Sequence, residues 1–173
     1  MRPYKSAVFA LVAFTLAAPP VWAQDPETVE VTPYVALGSA AASPVGAAVT
    51  FPVTSTLSVE TDVAYRRGEG RIHALSSSAS LLYSLPRVGQ STPYVAAGVG
   101  LSQYGAPVFS SNGRPIATYP NVALTVNAGG GLKMPMNEKL DLRTDARWTK
   151  SFGRYGSEQF RVAQGLSFDV GKR

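Results

Sequence analysis

From Val29 onward the chain alternates apolar residues with small or polar ones at a period of two, and it does so over eight successive segments. Val29, Val31, Pro33, Val35 and Leu37 share one face of the first segment. Val45, Ala47, Val49, Phe51 and Val53 share one face of the second, and Leu57, Val59, Thr61, Val63 and Tyr65 one face of the third. Leu75, Ala79, Leu81, Tyr83 and Leu85 follow, diluted by Ser77, and then Val95, Ala97, Val99 and Leu101. The sixth segment contributes Val122, Leu124, Val126, Ala128, Leu132 and Met134, the seventh runs from Leu140 to Trp148, and the eighth has Phe160, Val162, Leu166, Phe168 and Val170. A period of two puts successive side chains on opposite faces of a strand. Segments of about ten residues have the length a tilted strand needs to cross a bilayer. After Gln24 no stretch keeps helical apolar spacing for more than two turns and none is apolar for 18 residues, which excludes a helical membrane protein.

The second phase decides which face is inside. A water-facing phase is rich in long polar groups, yet this one reads Thr32, Ala36, Gly38, then Gly46, Ala48, Thr50, then Ser76, Ser78, Ser80, Ser84. Ala96, Gly98, Gly100 and Ser102 continue it, with Thr125, Asn127, Gly129 and Gly131. Small side chains suit the crowded interior of an eight-stranded barrel, which has room only for side chains. The expected fold is therefore all-β, an eight-stranded antiparallel up-and-down transmembrane β-barrel whose apolar phase faces lipid. With an inner-side N-terminus, outward Tyr65, Trp148 and Phe160 fall at the outer rim and Phe51, Tyr83 and Phe168 at the inner rim, as two aromatic girdles. Compact turns are expected at 52–56, 86–91 and 135–139. Outer loops are expected at 39–43, 67–70 and 150–157, with a longer one at 105–120.

The ends agree with export. Arg2 and Lys5 precede an apolar run from Ala7 to Ala18 and then Val21, Trp22 and Ala23, the pattern of a cleavable secretory signal peptide over residues 1–23. The barrel domain is then 24–173. Cleavage removes two basic residues and no acid, leaving 14 basic against 11 acidic residues, too small a surplus to suggest nucleic acid. Cys is absent, so disulfides, thiolate metal sites and thiol nucleophiles are excluded.

Three stretches carry a family resemblance: TPYVAAGVGLS at 92–102, FPVTSTLSVETDVAYR at 51–66 and KLDLRTDARW at 139–148. In order and spacing they resemble the small outer-membrane β-barrel superfamily of OmpA-type barrels, OmpX and the opacity proteins. The resemblance implies a bacterial outer-membrane protein with no cofactor. It also implies the barrel-assembly machinery as a partner, because Gly165, Phe168 and Val170 are similar to its client signal. Ala163, where a polar residue is usual, and Gly171, Lys172 and Arg173 depart from that signal.

The inward phase carries Glu30, Glu60, Asp62, Arg66, Lys133, Asp141, Arg143, Asp145, Arg147, Arg161 and Asp169, six acids against five bases. A ring of one sign selects ions, whereas near balance suggests internal ion pairs. Glu60 and Asp62 are expected at the depth of Arg143 and Asp145, and a network of Glu60, Asp62, Arg66, Asp141, Arg143, Asp145, Arg147 and Arg161 is expected to plug the lumen. Some relatives act on lipid A with a serine, a histidine and an acid. Here the single His73 shares the outward phase with Leu75 while Ser76 and Ser78 point inward, so no catalytic residue is expected. No cluster suggests a metal. Arg67, Arg71, Arg114, Lys150 and Arg154 make the outer rim basic, a pattern suited to the phosphates of lipopolysaccharide. The expected function is a monomeric structural or surface-interaction protein, not an enzyme. A narrow porin-like channel and an adhesin or serum-resistance factor acting through its outer loops are the alternatives.

Overall fold

A computed structural model of the chain describes residues 28–38, 43–67, 73–109, 112, 115–153 and 156–170, leaving the signal segment at 1–23 outside the described residues. The described chain forms eight strands: β1 (Val29–Gly38), β2 (Val45–Pro52), β3 (Leu57–Arg67), β4 (His73–Ser84), β5 (Thr92–Phe109), β6 (Pro115–Asn137), β7 (Leu140–Phe152) and β8 (Glu158–Val170). Each pairs antiparallel with its sequence neighbours, and β1 pairs with β8 to close the barrel. Closure satisfies every strand edge in the wall, the condition for a sheet to stand in hydrocarbon.

Alternation becomes a two-sided wall. On β1, Val35 and Leu37 are 62% and 72% exposed while Thr32, Tyr34 and Ala36 on the opposite face are buried. Tyr65, Trp148 and Phe160 point outward near one end of the barrel; Tyr83 and Phe168 point outward near the other. Among the described residues no helix is long and apolar enough to cross a membrane, a statement that leaves strand crossings untouched.

The end that holds the first residue of β1 and the last of β8 also holds three short turns. At 53–56 the Thr54 hydroxyl accepts the Leu57 amide at 2.9 Å. At 85–91 the backbone reverses through Gly89, whose φ of 61° suits glycine. The turn after β6 spans only 138–139, where Asn137 Oδ1 accepts the Lys139 amide at 3.0 Å.

One expected boundary is corrected. The segment at 105–120 was expected to be a loop, but Gly105 pairs with Pro120 and the ladder continues to Phe109 opposite Pro115. β4 stops pairing with β5 at Gly105, and β7 stops pairing with β6 at Leu124. The hairpin therefore rises past the wall as a two-stranded ribbon. Pro107, Pro115 and Pro120 read as loop signals in sequence, yet a ribbon has outward backbone edges where a missing N–H costs no ladder bond.

The charged lumen as candidate functional site

β3 and β7 run in the same direction, so their inward residues meet at equal depth across the barrel. Arg147 Nη2 lies 2.5 Å from Glu60 Oε1, and Arg143 Nη1 donates to Glu60 Oε2. Thr50 adds a hydroxyl to Glu60 Oε2 at 3.1 Å. Glu60 is thus the hub joining two guanidinium groups, and at 1% exposure it is cut off from solvent.

Around that hub stand two units of like construction. Arg143 lies over the Tyr94 ring, 4.9 Å from its centroid, and donates from Nε to the Tyr94 hydroxyl at 2.8 Å. That hydroxyl donates in turn to Asp145 Oδ2 at 2.7 Å. Arg161 lies 5.0 Å over the Tyr34 ring and donates to its hydroxyl at 2.8 Å, and the hydroxyl donates to Asp62 Oδ2. Arg161 Nη2 also reaches Asp62 at 3.3 Å, and Ser78 donates to the other Asp62 oxygen at 3.2 Å. Arg147 ties the Tyr94 unit to the hub, placing Nε 2.9 Å from Asp145 Oδ1 and donating to Oδ2 at 3.2 Å while its Nη2 meets Glu60. Arg143 and Arg161 thereby combine a face-on ring contact with directed hydrogen bonds, which suits the planar guanidinium fork.

The tyrosines fit because glycine faces them. Tyr34 pairs across strands with Gly46, where a Cβ would stand 2.6 Å from the Tyr34 ring. Tyr94 pairs with Gly131, where a Cβ would meet the Tyr94 hydroxyl. Tyr34 and Tyr94 are the network members that sequence reasoning missed. Their signal was present, since both fall in the inward phase among Thr32, Ala36 and Ala96.

The other inward charges lie apart. Lys133 pairs with Glu30 at 2.5 Å nearer the turn end. Arg66 donates to the neutral Gln159 at 3.1 Å near the opposite mouth, outside the ion-pair cluster. Asp141 and Asp169, partly buried near the turn end, make no ion pair among the described residues. Inside the network a void of about 20 Å³ remains, lined by Tyr34, Glu60, Asp62, Arg143 and Arg147. Above it a cup of about 90 Å³ opens toward the ribbon end, lined by hydroxyls of Ser76, Ser102, Tyr104 and Thr125 together with Arg66.

No protein-family model matches the sequence, and no curated protein matches it. Solved structures do match. The N-terminal β-barrel domain of Pseudomonas aeruginosa OprF superposes with a TM-score of 0.65 at 17% identity, covering 83% of this chain and 97% of that one. Neisserial surface protein A superposes at 0.66 with 12% identity, covering 82% and 96%. This chain has the fold of the small outer-membrane β-barrels. The outer membrane enzyme PagL shares that fold too, at a TM-score of 0.53 and 14% identity over 82% of this chain and 99% of that one.

On this barrel His73 stands on the outer wall. Its ring stacks on Tyr65, centroids 6.0 Å apart, and its Nδ1 is 2.7 Å from the Tyr65 hydroxyl. Ser76 and Ser78 belong to the opposite, lumenal phase of the same strand and line the cup. Among the described residues no group of His, Cys, Asp and Glu is arranged to hold a metal. Of the basic rim, Arg67 is exposed and Lys150 pairs with Glu158 at 3.1 Å, while Arg71, Arg114 and Arg154 lie outside the described residues. On the closing strand Gly165 packs under Tyr34, and Phe168 and Val170 face outward at 43% and 53% exposure.

Proposed function

We propose that the chain is an integral protein of a bacterial outer membrane with a structural or surface-interaction role, and that its lumen is plugged rather than conducting. The Glu60 hub carries this reading: two arginines converge on one buried carboxylate at mid-barrel, and the void left there holds about one water by volume. A path for a hydrated ion needs more room than that. The ribbon of β5 and β6 supports the surface-interaction half, because among the described residues it rises beyond the wall.

The reading is of a protein without catalytic activity, since His73 is engaged by Tyr65 away from the serines. It includes export by the segment at 1–23, delivery to the barrel-assembly machinery through Gly165, Phe168 and Val170, and contact of the basic rim with lipopolysaccharide phosphates. Charge reversal at Arg67 and Lys150 should lower the lipid A that copurifies with the protein.

Cell fractionation joined to planar-bilayer recording tests the whole. The protein is expected in the outer-membrane fraction, with a folded band that shifts on boiling, and with no discrete conductance steps. Recovery as a soluble periplasmic protein would overturn the membrane assignment, and steady unitary conductance would overturn the plug.

A further inference from the structure

The outward face of β8 reads Phe160, Val162, Gln164, Leu166, Phe168. Gln164 is the exception. It is the central residue of the strand and lies midway between two outward phenylalanines, with about 14 Å of strand on either side. Its side chain is exposed on the exterior. Among the described residues no hydrogen bond satisfies its amide. Its cross-strand neighbours are Val35 on β1 and Thr144 on β7, and the next outward residues are Leu37, Ala146 and Leu166.

If this surface stands in lipid, as proposed above, a primary amide is held at mid-depth where neither water nor a lipid tail can bond to it. Such a group is costly unless another polar group covers it. A primary amide is its own complement, presenting donors and an acceptor in one plane. A two-fold axis through Gln164 brings two such amides together with both satisfied, the isologous contact of a symmetric dimer. The surroundings suit such a contact: on the β7 side Thr144 and Ala146 are small, on the β1 side Val35 and Leu37 offer apolar surface, and at the rim above this face Lys150 is paired with Glu158. We infer that the β1–β8–β7 face is a homodimer interface centred on Gln164, the occupant being a second copy of this chain.

Because the chain contains no cysteine, single replacements report on this contact without background. Val162→Cys leaves Gln164 intact and sits beside it, while Leu81→Cys on β4 is equally outward but four strands away. In outer-membrane vesicles under mild oxidation, Val162→Cys should form disulfide-linked dimer at about tenfold the yield of Leu81→Cys. Adding Gln164→Leu to Val162→Cys should lower that yield about tenfold, the scale expected for losing hydrogen bonds between membrane segments. Every variant is first checked for the heat-shifted folded band. Equal yields at the two cysteines, or a yield unmoved by Gln164→Leu, would overturn the dimer while leaving the membrane assignment intact. A soluble protein would overturn both.

Discussion

Glu60 is the residue on which the others depend. Truncating it leaves Arg143 and Arg147 buried with Asp145 as their remaining carboxylate, at 3.5 Å and 2.9 Å. Removing one partner of a buried pair typically costs about 3–5 kcal/mol, because a desolvated charge is stranded. Arg143→Ala is milder in one respect, since Glu60 keeps Arg147 at 2.5 Å. Both variants should lower the urea midpoint of the micelle-embedded barrel, Glu60→Ala by more. Equal midpoints for Glu60→Ala and the parent would show that the network contributes nothing to stability. Tyr94→Phe offers a finer probe: it keeps the ring beneath Arg143 but removes the hydroxyl that accepts from Arg143 and donates to Asp145. A loss of about 1–3 kcal/mol is expected, measured in the same titration. The acidic and basic members were legible in sequence because alternation and parallel direction placed Glu60 beside Arg143. The tyrosines were not, since the inward phase around Tyr34 and Tyr94 reads as small side chains, and only the pairing that sets Gly46 and Gly131 opposite them reveals where such a ring has room.

At the scale of elements, strand identity and order were legible because a buried-face period of two is hard to counterfeit over eight segments. The ribbon was not. Its prolines at 107, 115 and 120 punctuate the sequence as a loop would, and only pairing shows that they stand where no neighbouring strand needs their N–H. Since among the described residues no neighbouring strand pairs with the ribbon beyond Gly105 and Leu124, the barrel should not need it. Replacing residues 107–118 by Asn-Gly, a two-residue hairpin turn joining Ala106 to Tyr119, should leave the heat-shifted band and the urea midpoint unchanged. Any binding of the intact protein to a host surface or serum component should fall with it. A lowered midpoint would mean that the ribbon packs on the barrel mouth and belongs to the plug.

For the molecule as a whole, eight strands fix a lumen that side chains can fill, so the choice between plug and pore rests on what those side chains are. Here balance is local: the central acids and bases neutralise each other, whereas Asp141 and Asp169 sit near the turn end and Arg66 near the ribbon end. Removing Glu60, Arg143 and Arg147 together, each to Ala, empties mid-barrel and leaves Glu30, Asp62, Asp141, Asp145 and Asp169 facing only Arg66, Lys133 and Arg161. The lumen of that variant is both wider and net acidic, and fixed charge of one sign in a pore selects its counter-ion. The intact protein should stay silent in planar bilayers while the triple variant shows conductance steps. In a KCl gradient the reversal potential of the triple variant should take the sign of cation preference. Silence from a correctly folded triple variant would mean that the network is not what closes the lumen, and would shift the closure to the tyrosine pair and the hydroxyl-lined cup. Anion preference would mean that Arg66, standing at the mouth and bonded to the neutral Gln159 among the described residues, outweighs the acids below it.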